Sequence, residues 1–398
     1  METCELLEVL SGEGLRLLDS LEPYDAGADV VKAVNDLRKA GHSPARVAAV
    51  LSQARLRSKA SAKFGAFAER MLFTEAGLEQ ATRLSVAARH ADRFRQAGIS
   101  HVTDLGCGIG ADALALAALD LRVTAVERDE VTAAIAAYNL APWPTATVVT
   151  GDATQVEIES GVDHGVYLDP ARRTIGHGNT SRLRDPKDWS PSLDFAFDVA
   201  ERMPTGIKLG PGVDRGLIPP SAEAQWISID REVVELGLWF GAVARPGVRR
   251  AALVIGEHGA AELTAGEDSA DVATGTLGEF VYEPDGAVIR ARLIGDLARQ
   301  LDATMLSDGI AYLTAPTHVP TPFARAFRVV ETLPFDERTL KKVLAARGIG
   351  TLEIKKRGVD LDPAQLRKKL SLKGTGSATL IVTRVAGRHT ALLVERMG

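Results

Sequence analysis

The chain has 398 residues, 45% of them apolar and 25% charged, with a net charge of −5. These proportions exclude a disordered or fibrous chain and suit two or three domains, each large enough to bury a core. Two cysteines, Cys4 and Cys107, are too few for a disulfide framework or a cysteine-rich zinc site. No apolar run reaches the ~20 residues needed to span a bilayer, and the acidic start Met1-Glu2-Thr3-Cys4-Glu5 lacks the basic character of a leader, so a cytoplasmic protein without a membrane partner is expected.

The first hundred residues read as helical. Ser43-Pro44 is an N-cap followed by proline in the first turn, and Val47, Val50, Leu51 and Ala54 recur at helical spacing behind it. A second helix is predicted over 74–96, with Gly98 as its stop. From residue 101 the pattern changes to short apolar strands, 101–105, 122–126, 146–150, 162–168 and 205–209, separated by helices, which implies a mostly parallel, doubly wound sheet. Strands 226–229 and 232–240 are joined by a short link and read as an antiparallel hairpin. The Gly, Ala and acid-rich stretch 256–278 is the expected boundary. Beyond it come a helix (288–301), a strand (310–314) and a Pro-punctuated connector (316–322). The last seventy residues read as a strand, a helix, a strand, a helix and two strands, a small α/β module. The expected division is a helical domain over 1–97, a sheet domain over 98–256, a linker with a connecting helix and strand over 257–326, and the α/β module over 327–398.

The segment Val102-Thr103-Asp104-Leu105-Gly106-Cys107-Gly108-Ile109-Gly110 runs from a strand through glycines into an Ala/Leu helix, which lets backbone approach a ligand at a helix N-terminus. Gly106, Gly108 and Ala111 also satisfy the dinucleotide fingerprint. Three neighbours separate the readings. Asp104 stands where most dinucleotide sites carry an apolar residue, and a carboxylate there suits an ammonium group. Glu127 closes the next strand, where it can accept both hydroxyls of a ribose. Asp152 and Ala153 close the third strand, where a carboxylate and a backbone N–H suit an adenine. Ammonium, ribose and adenine together describe S-adenosylmethionine.

On these residues the chain resembles the class I S-adenosylmethionine-dependent methyltransferases over about 99–240. The resemblance implies an α/β protein built on a Rossmann-like sheet, mostly parallel with an antiparallel hairpin. S-adenosylmethionine would be the cofactor, held by Asp104, Gly106, Gly108, Gly110, Glu127, Asp152 and Ala153. At the end of the fourth strand stands Leu168-Asp169-Pro170-Ala171-Arg172-Arg173. Methyltransferases acting on nitrogen often carry Asn/Asp-Pro-Pro-aromatic here, the acid and the first proline carbonyl accepting hydrogen bonds from the target amine. Asp169 and Pro170 match. Ala171 and Arg172 depart, so base stacking is not expected at this motif. Asp169, Pro170 and Arg172 are the candidate catalytic residues, and Arg173 is a candidate substrate contact. Asp-Pro-x-Arg also resembles the 5-methyluridine methyltransferases, which need a cysteine nucleophile; Cys107 sits in the glycine loop, where a packing role is expected, and Cys4 in the N-terminal helical region, so in-line transfer to a nitrogen, with an oxygen as the second choice, is the remaining route. The polar segment 174–191 carries Arg182, Arg184, Lys187 and Trp189, and Lys208 closes the fifth strand. His90 and His389 read as solitary structural residues, and no metal site is expected.

The wider pattern is similar to a bacterial methyltransferase family with a C-terminal THUMP-like domain. The segments that carry the similarity are Phe73-Thr74-Glu75-Ala76-Gly77-Leu78-Glu79-Gln80-Ala81-Thr82, the Asp169 motif, Lys208-Leu209-Gly210-Pro211-Gly212-Val213-Asp214 and Ile354-Lys355-Lys356-Arg357-Gly358-Val359-Asp360. THUMP domains bind RNA, so the resemblance implies an RNA partner, tRNA or rRNA. Between Lys341 and Lys373 ten Lys or Arg stand against three acids, the footprint of a module that meets a polyanion. Lys355, Lys356 and Arg357 are the candidate RNA contacts there. Two other readings stand beside this one, a non-catalytic RNA-binding scaffold that keeps the fold and a small-molecule methyltransferase with an incidental basic tail.

Overall fold

The computed structural model describes residues 2–21, 30–158, 161–170 and 188–397. Two units make up the chain, one of Met1–Leu209 with Trp239–Ala244 and one of Gly210–Leu238 with Arg245–Gly398.

The first unit begins with α1 (Thr3–Leu10), α2 (Gly12–Ser20), α3 (Val30–Lys39) and α4 (Pro44–Phe64). Residue chemistry sets the ends of α4. The Ser43 hydroxyl accepts from Arg46 N at 3.2 Å, Pro44 stands where a missing N–H is harmless, and Gly65 closes the helix at φ 56°. The helix predicted over 74–96 is two, α5 (Glu75–Gln80) and α6 (Leu84–Gln96). The interruption has a visible cause: Lys63 Nζ donates to the carbonyls of Leu78, Glu79 and Ala81, each at 2.8 Å, so the end of α5 is satisfied from outside its own ladder.

Strands β1 (His101–Leu105), β2 (Arg122–Glu127), β3 (Ala146–Thr150), β4 (His164–Leu168) and β5 (Thr205–Leu209) then alternate with α7 (Ala111–Ala118), α8 (Glu130–Leu140) and α9 (Leu193–Ala200). Their order is β3-β2-β1-β4-β5, and every pair is parallel. β1 and β4 are buried throughout, as strands covered on both faces must be. Strand order reverses between β1 and β4, and ligands of open α/β sheets bind outside the carboxyl ends at such a point. Buried amides tie the residues before α5 to this frame. Gln53 exchanges two hydrogen bonds with the Phe73 backbone (2.7 and 3.0 Å) and Asn139 two with Leu72 (2.8 and 3.0 Å), while Asn139 also donates to Ile109 O at 2.9 Å.

The second unit includes β6 (Glu223–Ile229) and β7 (Glu232–Phe240) as far as Leu238, hydrogen-bonded neighbours around Asp230 and Arg231. Both turn residues have positive φ, 48° and 73°, which gives the hairpin expected here. β8 (Arg250–Gly256) runs parallel to β6, and β9 (Gly259–Ala265) pairs antiparallel with β8. β9 therefore lies inside the stretch 256–278, whose Gly, Ala and acid composition conceals a strand. A second sheet contains β10 (Phe280–Pro284), β11 (Thr304–Ser307), β12 (Ile310–Ala315), β13 (Ala324–Pro334), β14 (Ile349–Lys356), β15 (Gly376–Val385) and β16 (Arg388–Arg396), in the order β11-β12-β10-β13-β16-β15-β14. The helix expected over 288–301 is interrupted at Arg292, φ 60°, giving α10 (Gly286–Arg290) and α11 (Ile294–Gln300). α12 (Glu337–Ala346) and α13 (Pro363–Leu370) cover one face of the second sheet, where Leu340, Leu344, Leu366 and Leu370 pack on Leu352, Ile354, Leu380 and Val382. Val281, Tyr312, Phe327, Ile381 and Val394 gather on the other face. No helix among the described residues is long and apolar enough to cross a membrane.

Candidate functional site

A cleft of about 670 Å³ opens at the carboxyl ends of β1, β2, β3 and β4, within the size range of small-molecule sites. The glycine loop forms one wall. Gly106 and Gly108 have φ of 88° and 57°, a backbone only glycine adopts without strain, and the space where their Cβ atoms would stand is open. The loop is braced from behind by Gly77 of α5: a Cβ there would lie 2.5 Å from Ile109 Cγ2, so α5 seats directly on the loop. Gly110 (φ 83°) starts α7. Glu127, at the end of β2, accepts from Gly108 N at 3.1 Å and from Asp129 N at 2.9 Å, which fixes its carboxylate at the loop's edge. Asp152 and Ala153 line the cleft beyond β3, and Asp152 Oδ1 accepts from the Thr154 hydroxyl (2.7 Å) and N–H (2.8 Å), which hold its carboxyl below the usual range. All seven residues expected at the cofactor thus converge on this cleft or on the turn behind it.

Asp104 is the least satisfied group of the floor. It is 1% exposed, and its Oδ2 has no hydrogen-bond partner among the described residues. Burial pushes its carboxyl well above the ordinary carboxylate range, and the charges of Asp112 and Asp169 push it further. A buried acceptor among like charges fits a cationic ligand, and the ammonium and sulfonium of S-adenosylmethionine are such cations.

Asp169 lines the cleft from the end of β4 and forms an ion pair with Lys208 of β5. Behind that pair runs a chain that sequence reasoning did not assemble. Lys208 Nζ donates to Thr82 Oγ1 at 3.0 Å, Thr82 donates to Asp112 Oδ2 at 2.6 Å, and Asp112 Oδ1 lies 2.8 Å from His90 Nδ1. The Tyr167 hydroxyl is 3.0 Å from the same nitrogen. Burial alone would raise the Asp112 carboxyl, but the His90 hydrogen bond and charge, with Lys208 and Thr82, leave it lowered. His90 is 2% exposed and is not the solitary residue expected; it is the inner end of this network. Thr82 reaches the chain because helix stops at Gln80 and resumes at Leu84.

Cys107 is held as a thiol, since burial raises its pKa well above the usual value. Pro170 is buried beside Asp169, whereas Arg172 and Arg173, with Arg182, Arg184 and Lys187, lie outside the described residues. Trp189 is 6% exposed. In the second unit, strand alternation divides the basic run. Lys355 is ion-paired with Glu283 at 2.8 Å, Lys356 is exposed, and the Arg357 guanidinium lies over the Tyr312 ring at 5.5 Å. His389 packs edge-on against Phe335. Among the described residues no group of three His, Cys, Asp or Glu side chains gathers in a metal-binding arrangement.

Comparison with known proteins bears on the family of the chain. A family model described as THUMP domain-like matches residues 324–396, and one for a domain of unknown function matches residues 3–60. The crystal structure of a methyltransferase from Porphyromonas gingivalis W83 shares the fold, with a TM-score of 0.72 at 21% identity over 100% of this chain and 99% of that one. An uncharacterized S-adenosylmethionine-dependent methyltransferase of Mycobacterium tuberculosis, present in strains CDC 1551 and H37Rv, is 33% identical over 340 residues, 83% of this chain and 90% of the relative. Identity of that extent along most of both chains is family membership: the chain belongs to the S-adenosylmethionine-dependent methyltransferases, and S-adenosylmethionine is its cofactor.

Proposed function

We propose that the protein methylates a nitrogen of an RNA nucleotide, in tRNA or rRNA. The observation that carries this reading is Asp169, a carboxylate at the cleft margin held in place by Lys208. There it can accept an N–H of the target amine and offset the positive charge that grows on an attacking nitrogen. Pro170 adds a carbonyl at the same strand end. When bound, S-adenosylmethionine supplies an electrophilic methyl group on its sulfonium. Asp104 takes its ammonium, Glu127 its ribose hydroxyls, Asp152 and Ala153 its adenine, and Gly106, Gly108 and Gly110 allow the close approach.

The THUMP domain-like region at 324–396 supports RNA as the partner. In this reading Arg172 acts with Asp169 in catalysis and Arg173 contacts the RNA, while Lys356 and Arg357 contact it on the second unit, with Lys355 acting through its pair with Glu283. Nucleoside mass spectrometry of RNA from cells with and without the protein tests the proposal. One N-methylated nucleoside should disappear when the protein is absent, and an unchanged nucleoside profile would count against RNA as substrate.

A further inference from the structure

A further group of positive charges, drawn mostly from outside the ten-residue basic cluster, stands on the second sheet. On the face opposite α12 and α13, Glu283 of β10 lies directly across from Arg325 of β13, and Phe327 lies across from Arg396 of β16. Arg325 and Arg396 are thus diagonal neighbours on adjacent strands, about 7–8 Å apart at that register. Arg231, from the β6–β7 turn, reaches the same place and donates to Glu283 O at 3.0 Å.

Two carboxylates are present, and both are engaged. Glu283 takes Lys355 at 2.8 Å, with the Tyr312 hydroxyl at 3.5 Å. Glu353 takes Arg396 at 3.2 Å and the Thr379 hydroxyl at 2.9 Å. Four cations therefore stand against two acids. No carboxylate of the described residues lies within ion-pair distance of Arg231 or Arg325. Desolvation, and after it the charges of Arg231 and Arg396, depress the pKa of the Arg325 guanidinium against the opposing charges of Glu283 and Glu353.

Arg231 and Arg325 are half-buried guanidiniums with no acid at ion-pair distance among the described residues, and Arg396 adds an exposed one shared with Glu353; such a group is suited to phosphate, whose oxygens match the guanidinium fork. We infer that Arg231, Arg325 and Arg396 form a binding site for the phosphodiester backbone of the RNA substrate on the face of the second sheet opposite α12 and α13. The site rests on the RNA reading above, and it draws Arg231 from a turn outside the THUMP domain-like region.

The test is fluorescence anisotropy of a short labelled single-stranded RNA titrated with the full chain between about 50 and 200 mM NaCl. Arg325→Gln and Arg231→Gln should each weaken binding about tenfold. Each should also reduce the slope of log K against log salt by about 0.7, and the double variant by about 1.4. Arg388→Gln, which removes an exposed charge at the β15–β16 turn, should leave the slope unchanged. Cofactor titration checks that each variant is folded. Slopes unaltered in both Arg231→Gln and Arg325→Gln overturn the site, as does a wild-type protein that binds poly-glutamate in preference to the RNA. If the slopes fall as expected but the protein leaves every RNA nucleoside unmethylated, the phosphate site stands and the RNA-methylation reading fails.

Discussion

In the proposed arrangement, replacing Asp104 by Asn removes the charge that would hold the cofactor's ammonium while nearly preserving shape. A charge-assisted hydrogen bond to a buried carboxylate contributes roughly 1.5–3 kcal/mol, so S-adenosylmethionine affinity should fall about 10- to 150-fold. The pH dependence sharpens the test. Because burial and the neighbouring Asp112 and Asp169 raise the folded-state pKa of Asp104, the ligand-free protein holds a proton there above the pH at which an ordinary aspartate has lost it. A bound ammonium favours the ionised form, so binding should release that proton and affinity should climb with pH until the raised pKa is passed. The stability effect has the opposite sense. Between the unfolded and folded pKa values the native state binds more protons than the unfolded state, so Asp104 lowers stability as pH rises through that window. Asp104→Asn should therefore raise the Tm of the ligand-free protein at neutral pH by a few degrees, at about 2–4 °C per kcal/mol. Calorimetric titration in buffers of different ionisation enthalpy, between about pH 5 and 8, counts the released protons. Unchanged affinity and proton release in Asp104→Asn would show that the ammonium is held elsewhere.

Asp169→Ala should lower turnover on the RNA by on the order of 10² or more, while cofactor affinity changes less than about tenfold. Asp169→Asn should be milder, because the amide oxygen still accepts; single-turnover rates paired with cofactor titrations separate the cases, and wild-type turnover in the Ala variant would place the reacting centre elsewhere. Cys107→Ser should keep methyl transfer, since no thiolate takes part, and complete loss with intact cofactor binding would reopen a cysteine mechanism. Lys355→Met should cost about 1 kcal/mol, because Arg325, directly across from Glu283, remains to offset its charge, visible as a Tm lower by roughly 2–4 °C. An unchanged Tm would mean that the pair contributes little to the fold.

What was legible in the sequence is what the backbone itself demands. Successive glycines after a strand announce positive φ and close approach, and Asp104, Glu127 and Asp152 fall at the ends of three consecutive strands, so local spacing placed them correctly around one cleft. The chain behind Asp169 was not legible. Thr82, His90, Asp112, Tyr167 and Lys208 come from five separate elements, and only the fold brings them together. Helical periodicity also runs across residues 81–83 without a breaker, and the interruption depends on Lys63, whose three carbonyl partners cannot be inferred from its own neighbourhood. The run Lys355-Lys356-Arg357 reads as one patch in sequence. A strand alternates its side chains, and Glu283, seventy-two residues away, claims the first of the three.

Methyl transfer itself is the most direct test of the proposed function. The purified protein, S-adenosylmethionine carrying a deuterated methyl group and total RNA should yield one nucleoside with the label on nitrogen, detected by mass spectrometry after digestion. The Asp169→Ala protein should yield little. Label on a carbon or an oxygen would contradict the nitrogen target, and S-adenosylhomocysteine formed with no label in any RNA nucleoside would contradict the assignment of RNA as substrate.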